Sequence, residues 1–467
     1  MRLLVALLLL AGLPPVSTAQ TSARPDSVDL AVHGVTVVDV EAGRLVADRD
    51  VEVDAGRIVA VRPADPSRRA PARRVLDGAG RFLIPGLWDM HVHALWDRTQ
   101  AAHSLPLFLA HGVTGVRDVG SALPLAEQRA IAAEVERGAR PGVRVAATAA
   151  EGRAAVEAAA AEGWGAVKAY SLLPAEAFRG VARAADSLGL VLYGHVPDAV
   201  PGRTALAAGQ RSVEHLGGKL LTACSPLEAD MVRRRVGAMR EATASGDLAP
   251  FIAELRAQAG ESVETFDAAL CAGLAADLAR AGAFVAPTMV VADFYAGRDP
   301  APDDPRMRTV PAEVRARWAE ADFRRAGFTD ADRARTLRAE RQGLTLLRLL
   351  VEADVPVLAS TDAGWINPYS FYGAGLHDEL ERYQAAGLAP AEALQTATVA
   401  PAQFLGLARL GAVRPGFDAD LVLLDADPLA DVSAVRQVRA VVAGGRLYDR
   451  AALDAMIAEL ASLPYDP

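Results

Sequence analysis

The stretch Ile84-Pro85-Gly86-Leu87-Trp88-Asp89-Met90-His91-Val92-His93 governs how the chain is read. An apolar run ends in two histidines separated by one residue. Side chains alternate faces along a β-strand, so His91 and His93 point the same way, roughly 7 Å apart. Two imidazoles on one face of a strand end can grip one divalent cation. An HxH pair alone is weak, because two histidines in a polar strand end look the same. Its weight depends on what the rest of the chain brings to the same place.

Outward from this strand the chain alternates. Short apolar strand candidates are Gly86–His93, Val113–Val119, Val143–Thr148, Ala166–Tyr170, Leu190–Val196, Ser212–Leu216, Ala283–Val290 and Pro356–Asp362. Most are followed by Ala-, Glu- and Arg-rich helical sequence, and 222–280 and 295–350 read as long helical segments. Eight βα units predict an α/β fold, a (β/α)8 TIM-type barrel; an open doubly wound sheet is the alternative. Before and after this region lie β-branched runs, Val32 to Val40, Val51 to Val61, Gly411 to Leu424 and Val438 to Leu447. They predict one small β-sandwich built from both chain ends. The expected organisation is an export signal over 1–19, sandwich over 20–84, barrel over 85–405, and the rest of the sandwich with a C-terminal helix over 406–467.

Four further residues fall at or near the C-terminal ends of predicted strands: Lys168, His195, His215 and Asp362. In a (β/α)8 barrel those ends converge on one mouth, where active sites are found. Of the eight histidines, His91, His93, His195 and His215 land there, while His33, His103, His111 and His377 fall on the β domain, helices or loops. Lysine is the informative composition. Of 49 basic residues, only Lys168 and Lys219 are lysine. A chain that uses Arg for ordinary cations keeps Lys where a proton must be lost, which guanidinium cannot do.

With these residues the chain resembles the amidohydrolase superfamily, in its binuclear branch of imidazolonepropionase-like and Xaa-Pro dipeptidase-like enzymes. The resemblance rests on Ile58-Val59-Ala60, Val75-Leu76-Asp77-Gly78 and Ile84 to His93 at the front. At the back it rests on Thr396-Ala397-Thr398, Pro401-Ala402, Leu405-Gly406-Leu407 and Gly416 to Val422. It implies two divalent metal ions, with zinc expected, and a CO2-derived carbamate on Lys168. His91 and His93 would bind the buried ion and His195 and His215 the more exposed one. The Lys168 carbamate would bridge both, and Asp362 would ligate and handle protons. The chemistry this implies is attack of a metal-bridging hydroxide on an amide or peptide carbonyl, with Asp362 as general base and then acid. Tyr170, two residues past Lys168 on the same face, and Arg117, ending the second strand, are candidates to receive a substrate carboxylate.

Composition narrows the partners. A net charge of −9 argues against nucleic acid, which needs an excess of Lys and Arg. Arg2, the apolar run Leu3 to Leu13 and Ser17-Thr18-Ala19 read as a signal peptide cut before Gln20, so the mature chain is expected in the periplasm or medium without a stable membrane span. Cys224 and Cys271 either pair or remain two buried thiols. The expected partner is a small-molecule or dipeptide substrate, and homo-oligomerisation is left open. Competing readings keep parts of the same site: a mononuclear cyclic-amidine or imidazolone hydrolase or deaminase that does not need Lys168, a lactonase or phosphotriesterase, or a non-catalytic metal binder.

Overall fold

A computed structural model describes residues 27–120, 123, 125–136, 144–147, 156–157, 160–161, 165–320, 322 and 324–463. The signal-peptide reading of 1–19 lies outside these residues, as do positions 143 and 148 of the third strand candidate. Among the described residues no helix is long and apolar enough to cross a membrane.

The chain opens with β1 (Val28–Asp39), β2 (Arg44–Asp54), β3 (Arg57–Pro63), β4 (Ala72–Asp77) and β5 (Phe82–Pro85). From the far end come β13 (Leu421–Leu424), β14 (Val438–Ala443) and β15 (Arg446–Asp449). All eight share one sheet, in the order β15-β14-β13-β5-β1-β2-β3 with β4 on β1. The junction between the two ends is the antiparallel pair β5–β13, in which Leu83 faces Leu423 and Ile84 faces Val422. Alternation then sorts the side chains. Leu83, Leu421 and Leu423 join Val32, Val35 and Val53 in a core within the sheet domain. Ile84, Val422 and Leu424 turn to the other face, against Leu105, Phe108 and Leu109 of the helix Arg98–Ala110. The predicted strand from Gly411 shortens to β13. Gly416 there takes a left-handed φ of 89°, which bends the chain before the ladder begins.

Beyond Gly86 the chain passes directly into parallel strands: β6 (Leu87–Val92), β7 (Val113–Asp118) and β8 (Arg144–Ala147), then β9 (Ala166–Ala169), β10 (Val191–Gly194), β11 (Ser212–Glu214) and β12 (Phe284–Ala286). They form two parallel sheets, β6-β7-β8 and β12-β11-β10-β9. Residues 356–363, which contain the eighth predicted strand Pro356–Asp362, join them. Leu358 donates to the Val285 carbonyl at 2.8 Å, and Met90 donates to the Ala359 carbonyl at 2.8 Å. The parallel run is therefore β8-β7-β6-(356–363)-β12-β11-β10-β9. That is the cyclic order of eight (β/α) units opened between the third and fourth. Among the described residues no pairing of β8 with β9 closes the ring.

The long segments around β12 are helical as expected, including Glu228–Ser245, Ala249–Glu264, Ala268–Ala281 and Asp330–Glu352. Cys224 and Cys271 are joined in a disulfide that ties the start of this region to the helix Ala268–Ala281.

Candidate metal centre

The strand ends bring His91, His93, Lys168, His195, His215 and Asp362 into one cluster. Nitrogen and oxygen atoms of His91, His93 and Asp362 lie within 4.8 Å of one another. Asp362 Oδ1 is 3.3 Å from Nε2 of both histidines. Lys168 Nζ is 3.5 Å from His91 Nε2. The His215 ring centroid is 4.7 Å from that of His91, and His215 Nε2 is 2.9 Å from His195 Nε2. Lys168 thus stands against the His91, His93 and Asp362 group, with the second histidine pair adjoining.

Local backbone explains the convergence. Gly194, immediately before His195, takes φ 118°, and a Cβ there would lie 2.3 Å from the Ala169 carbonyl. Only glycine lets β10 turn this close to β9. His215, Thr288 and Asp362 occupy left-handed φ of 64°, 50° and 57° at the ends of three strands. For non-glycine residues this costs about 1–3 kcal/mol each, strain that concentrates at functional sites.

The Nδ1 atoms of all four histidines are occupied. His91 Nδ1 meets Glu214 Oε2 at 2.6 Å, His93 Nδ1 the Gly120 carbonyl at 3.2 Å, His195 Nδ1 Ser171 Oγ at 2.6 Å and His215 Nδ1 Thr288 Oγ1 at 2.8 Å. A carbonyl or carboxylate can only accept, so Nδ1 of His91 and His93 carries the proton and Nε2 presents its lone pair inward. This donor set fits divalent cations: two imidazoles and a carboxylate in one group, two imidazoles in the other.

Electrostatics agree. Burial opposes ionisation of Asp362, but His91, His93 and His215 outweigh it and hold the carboxyl well below its usual range. Burial, then His215 and Lys168, push His195 well down, and burial pushes His215 down to about 3, so both imidazoles are neutral at neutral pH. Burial also lowers the Lys168 ammonium, against the attraction of Glu214 and Asp362.

Arg117 has a different place from the one expected of a substrate clamp. It is 1% exposed, donates from Nε to the Met90 carbonyl at 2.6 Å, and grips Glu214 through Nη2 at 2.8 and 2.9 Å. Its guanidinium stacks over Tyr193, 4.8 Å from the ring centroid. It supports Glu214, which in turn orients His91. Tyr170 stays at the mouth, 48% exposed, its ring 4.6 Å from that of His195. Lys219 lies beyond His215 against Asp198, which Arg235 Nη1 also meets at 3.3 Å, and does not join the cluster. Sequence reasoning missed Glu214, Ser171 and Thr288. It also missed Asp118, which accepts from the backbone of Ala94 and Leu95 at 2.8 Å and so fixes the turn after His93. The only signal for Glu214 was a carboxylate inside an apolar strand, next to a candidate ligand.

Residues 306–448, which contain Asp362, match the sequence profile of the Amidohydrolase family. Over that segment the chain is similar to the amidohydrolase family. An 83-residue segment is 34% identical to an adenine deaminase of Methanothrix thermoacetophila, spanning 18% of this chain and 14% of that protein. Three solved structures share the fold at low identity. A bottromycin amidohydrolase superposes with a TM-score of 0.68 at 22% identity, over 93% of this chain and 91% of that one. Molinate hydrolase gives 0.61 at 17%, over 92% and 96%. A Xaa-Pro dipeptidase with bound methionine in its active site gives 0.60 at 18%, over 90% and 99%. Among the described residues, His91, His93 and Asp362 form a group that could hold a metal ion.

Proposed function

We propose that this chain is a metal-dependent hydrolase of the carbon–nitrogen bond of a small amide or peptide, in the binuclear branch of its family. The observation that carries the reading is Lys168, buried among the ligands with its amine 3.5 Å from His91 Nε2. An ammonium there would repel cations, whereas an amine whose pKa burial has lowered can add to CO2 and lose a proton. The carbamate so formed would give Lys168 an anionic group able to hold divalent ions beside His91, His93 and Asp362 and beside His195 and His215. His91, His93 and Asp362 would hold one divalent ion and His195 and His215 the other, with zinc suited to these nitrogen and oxygen donors. Bound there, such ions supply Lewis acidity toward a carbonyl and a lowered pKa for water.

The chain's own residues do the rest. Asp362 is ionised and aimed at the cluster, so it can take the proton of an attacking water and return it to the leaving nitrogen. Glu214 and Thr288 keep His91 and His215 in register. The same reading takes residues 85–405 as a closed barrel and 20–84 with 406–467 as a sandwich beside it. It also places the mature protein outside the cytoplasm after cleavage before Gln20, which N-terminal sequencing of the exported chain tests.

A mononuclear deaminase-type reaction is the second reading. It is favoured by the tighter grouping of His91, His93 and Asp362 and by the adenine deaminase match. Turnover screening of metal-loaded protein against dipeptides, N-acyl amino acids, adenine, lactones and phosphotriesters separates them. Amide or peptide turnover is expected; activity confined to lactones or phosphotriesters, or to adenine, would refute the assignment.

A further inference from the structure

Eleven large apolar side chains are exposed among the described residues, and four of them stand just past the strand ends that carry the proposed ligands. Trp96 is three residues beyond His93 and 46% exposed; Tyr170 and Leu172 are two and four beyond Lys168 and 48% and 53% exposed; Ile366 is four beyond Asp362 and 62% exposed. Single exposed apolar residues are ordinary, but a group around one opening marks a binding surface. The strand order divides them into two walls. Trp96 and Ile366 follow neighbouring strands, β6 and 356–363. Tyr170 and Leu172 follow β9, with β12, β11 and β10 between that strand and 356–363. The Tyr170 wall touches the cluster, its ring tilted 30° on His195.

Four cations near these strand ends are paired with other groups. Arg117 is buried on Glu214, Lys219 lies on Asp198, and Arg98 pairs with Glu127 at 3.0 Å. Arg324 spends its guanidinium on Asp322, on Asn367 Oδ1 at 2.8 Å and on the Ile366 carbonyl at 2.8 Å. A substrate carboxylate would compete with the partners of these cations.

We infer that the mouth selects a neutral amide bearing a bulky apolar group, held between the Trp96–Ile366 wall and the Tyr170–Leu172 wall, rather than a substrate with a free carboxylate. This deepens the hydrolase reading and rests on the same site.

Binding tests it apart from turnover. Calorimetric titration of the zinc-loaded protein with N-acetyl-L-phenylalaninamide, N-acetyl-L-phenylalanine and N-acetylglycinamide compares apolar neutral, apolar anionic and small neutral probes. The first should bind at least about tenfold more tightly than either of the others. The double variant Leu172→Ser, Ile366→Ser alters only exposed side chains. It should erase that preference with unchanged metal content. Tighter binding of the carboxylate probe, or a preference indifferent to the double variant, would overturn the inference. Selective binding without hydrolysis of any amide would uphold it and sink the hydrolase reading instead.

Discussion

Glu214 is the residue through which most of the site's geometry runs. It is fully buried, accepts from His91 Nδ1 and is held ionised by Arg117 against the cost of burial. Glu214→Gln should weaken metal affinity about 10–100-fold, because the imidazole loses its anionic partner. It should also lower stability by about 3–5 kcal/mol, because Arg117 is left as an uncompensated buried charge. Adding Arg117→Met should recover stability but not affinity. Chelator competition and urea denaturation read the two effects separately, and unchanged affinity in Glu214→Gln would remove Glu214 from the metal site. At this scale the sequence was legible where strand alternation and rarity applied: His91 with His93, and Lys168 among arginines. It was silent on the support of the ligands. Arg117 and Glu214 lie 97 residues apart, and nothing local distinguishes an arginine that clamps substrate from one that clamps a carboxylate.

Glu379 sits in the helix Ala374–Ala385 and accepts from the backbone of Met289 and Val290 at 2.7 and 2.8 Å. Those donors follow Thr288, the partner of His215, so one buried acid fixes the turn after β12. Burial raises its pKa from the usual carboxylate range to about 7. A raised folded-state pKa contributes stability that is complete below the unfolded value of 4.5 and lost as pH rises toward 7. The stability of the metal-free parent relative to Glu379→Gln should therefore decline across that window, by up to about 1.4 kcal/mol per pH unit. Urea titrations at pH 4.5 to 8 measure it; a flat or rising difference would mean the acid is not buried as described. The disulfide acts on a neighbouring element. Cys224 and Cys271 are 47 residues apart and bracket the helices Glu228–Ser245 and Ala249–Glu264. Loop-closure entropy sets an upper bound of about 4 kcal/mol on what reduction removes. Denaturation with and without reductant should show a clear loss, and equal midpoints would assign the bond no stabilising part. The individual parallel strands were readable from apolar runs and helical spacers. The extent of β13 was not, because Gly416 ends the extended run for a backbone reason that composition hides.

Across the whole molecule, two distant β-rich ends meet in one sheet through β5 and β13, and Gly86 leads from that sheet into the strand that carries His91 and His93. The sequence pattern suggested the shared β character of the ends; the register of Leu83 on Leu423 could come only from three dimensions. The left-handed turns at His215, Thr288 and Asp362 were likewise invisible, since none is a glycine. We propose that Lys168 makes the centre binuclear. Its most direct test is metal content and turnover in the parent and in Lys168→Arg, with Lys219→Arg as the control. Guanidinium stays protonated and cannot form a carbamate. Two equivalents of metal are predicted for the parent and for Lys219→Arg, and at most one, with activity lost, for Lys168→Arg. Two equivalents and full turnover in Lys168→Arg would rule out a bridging role for Lys168.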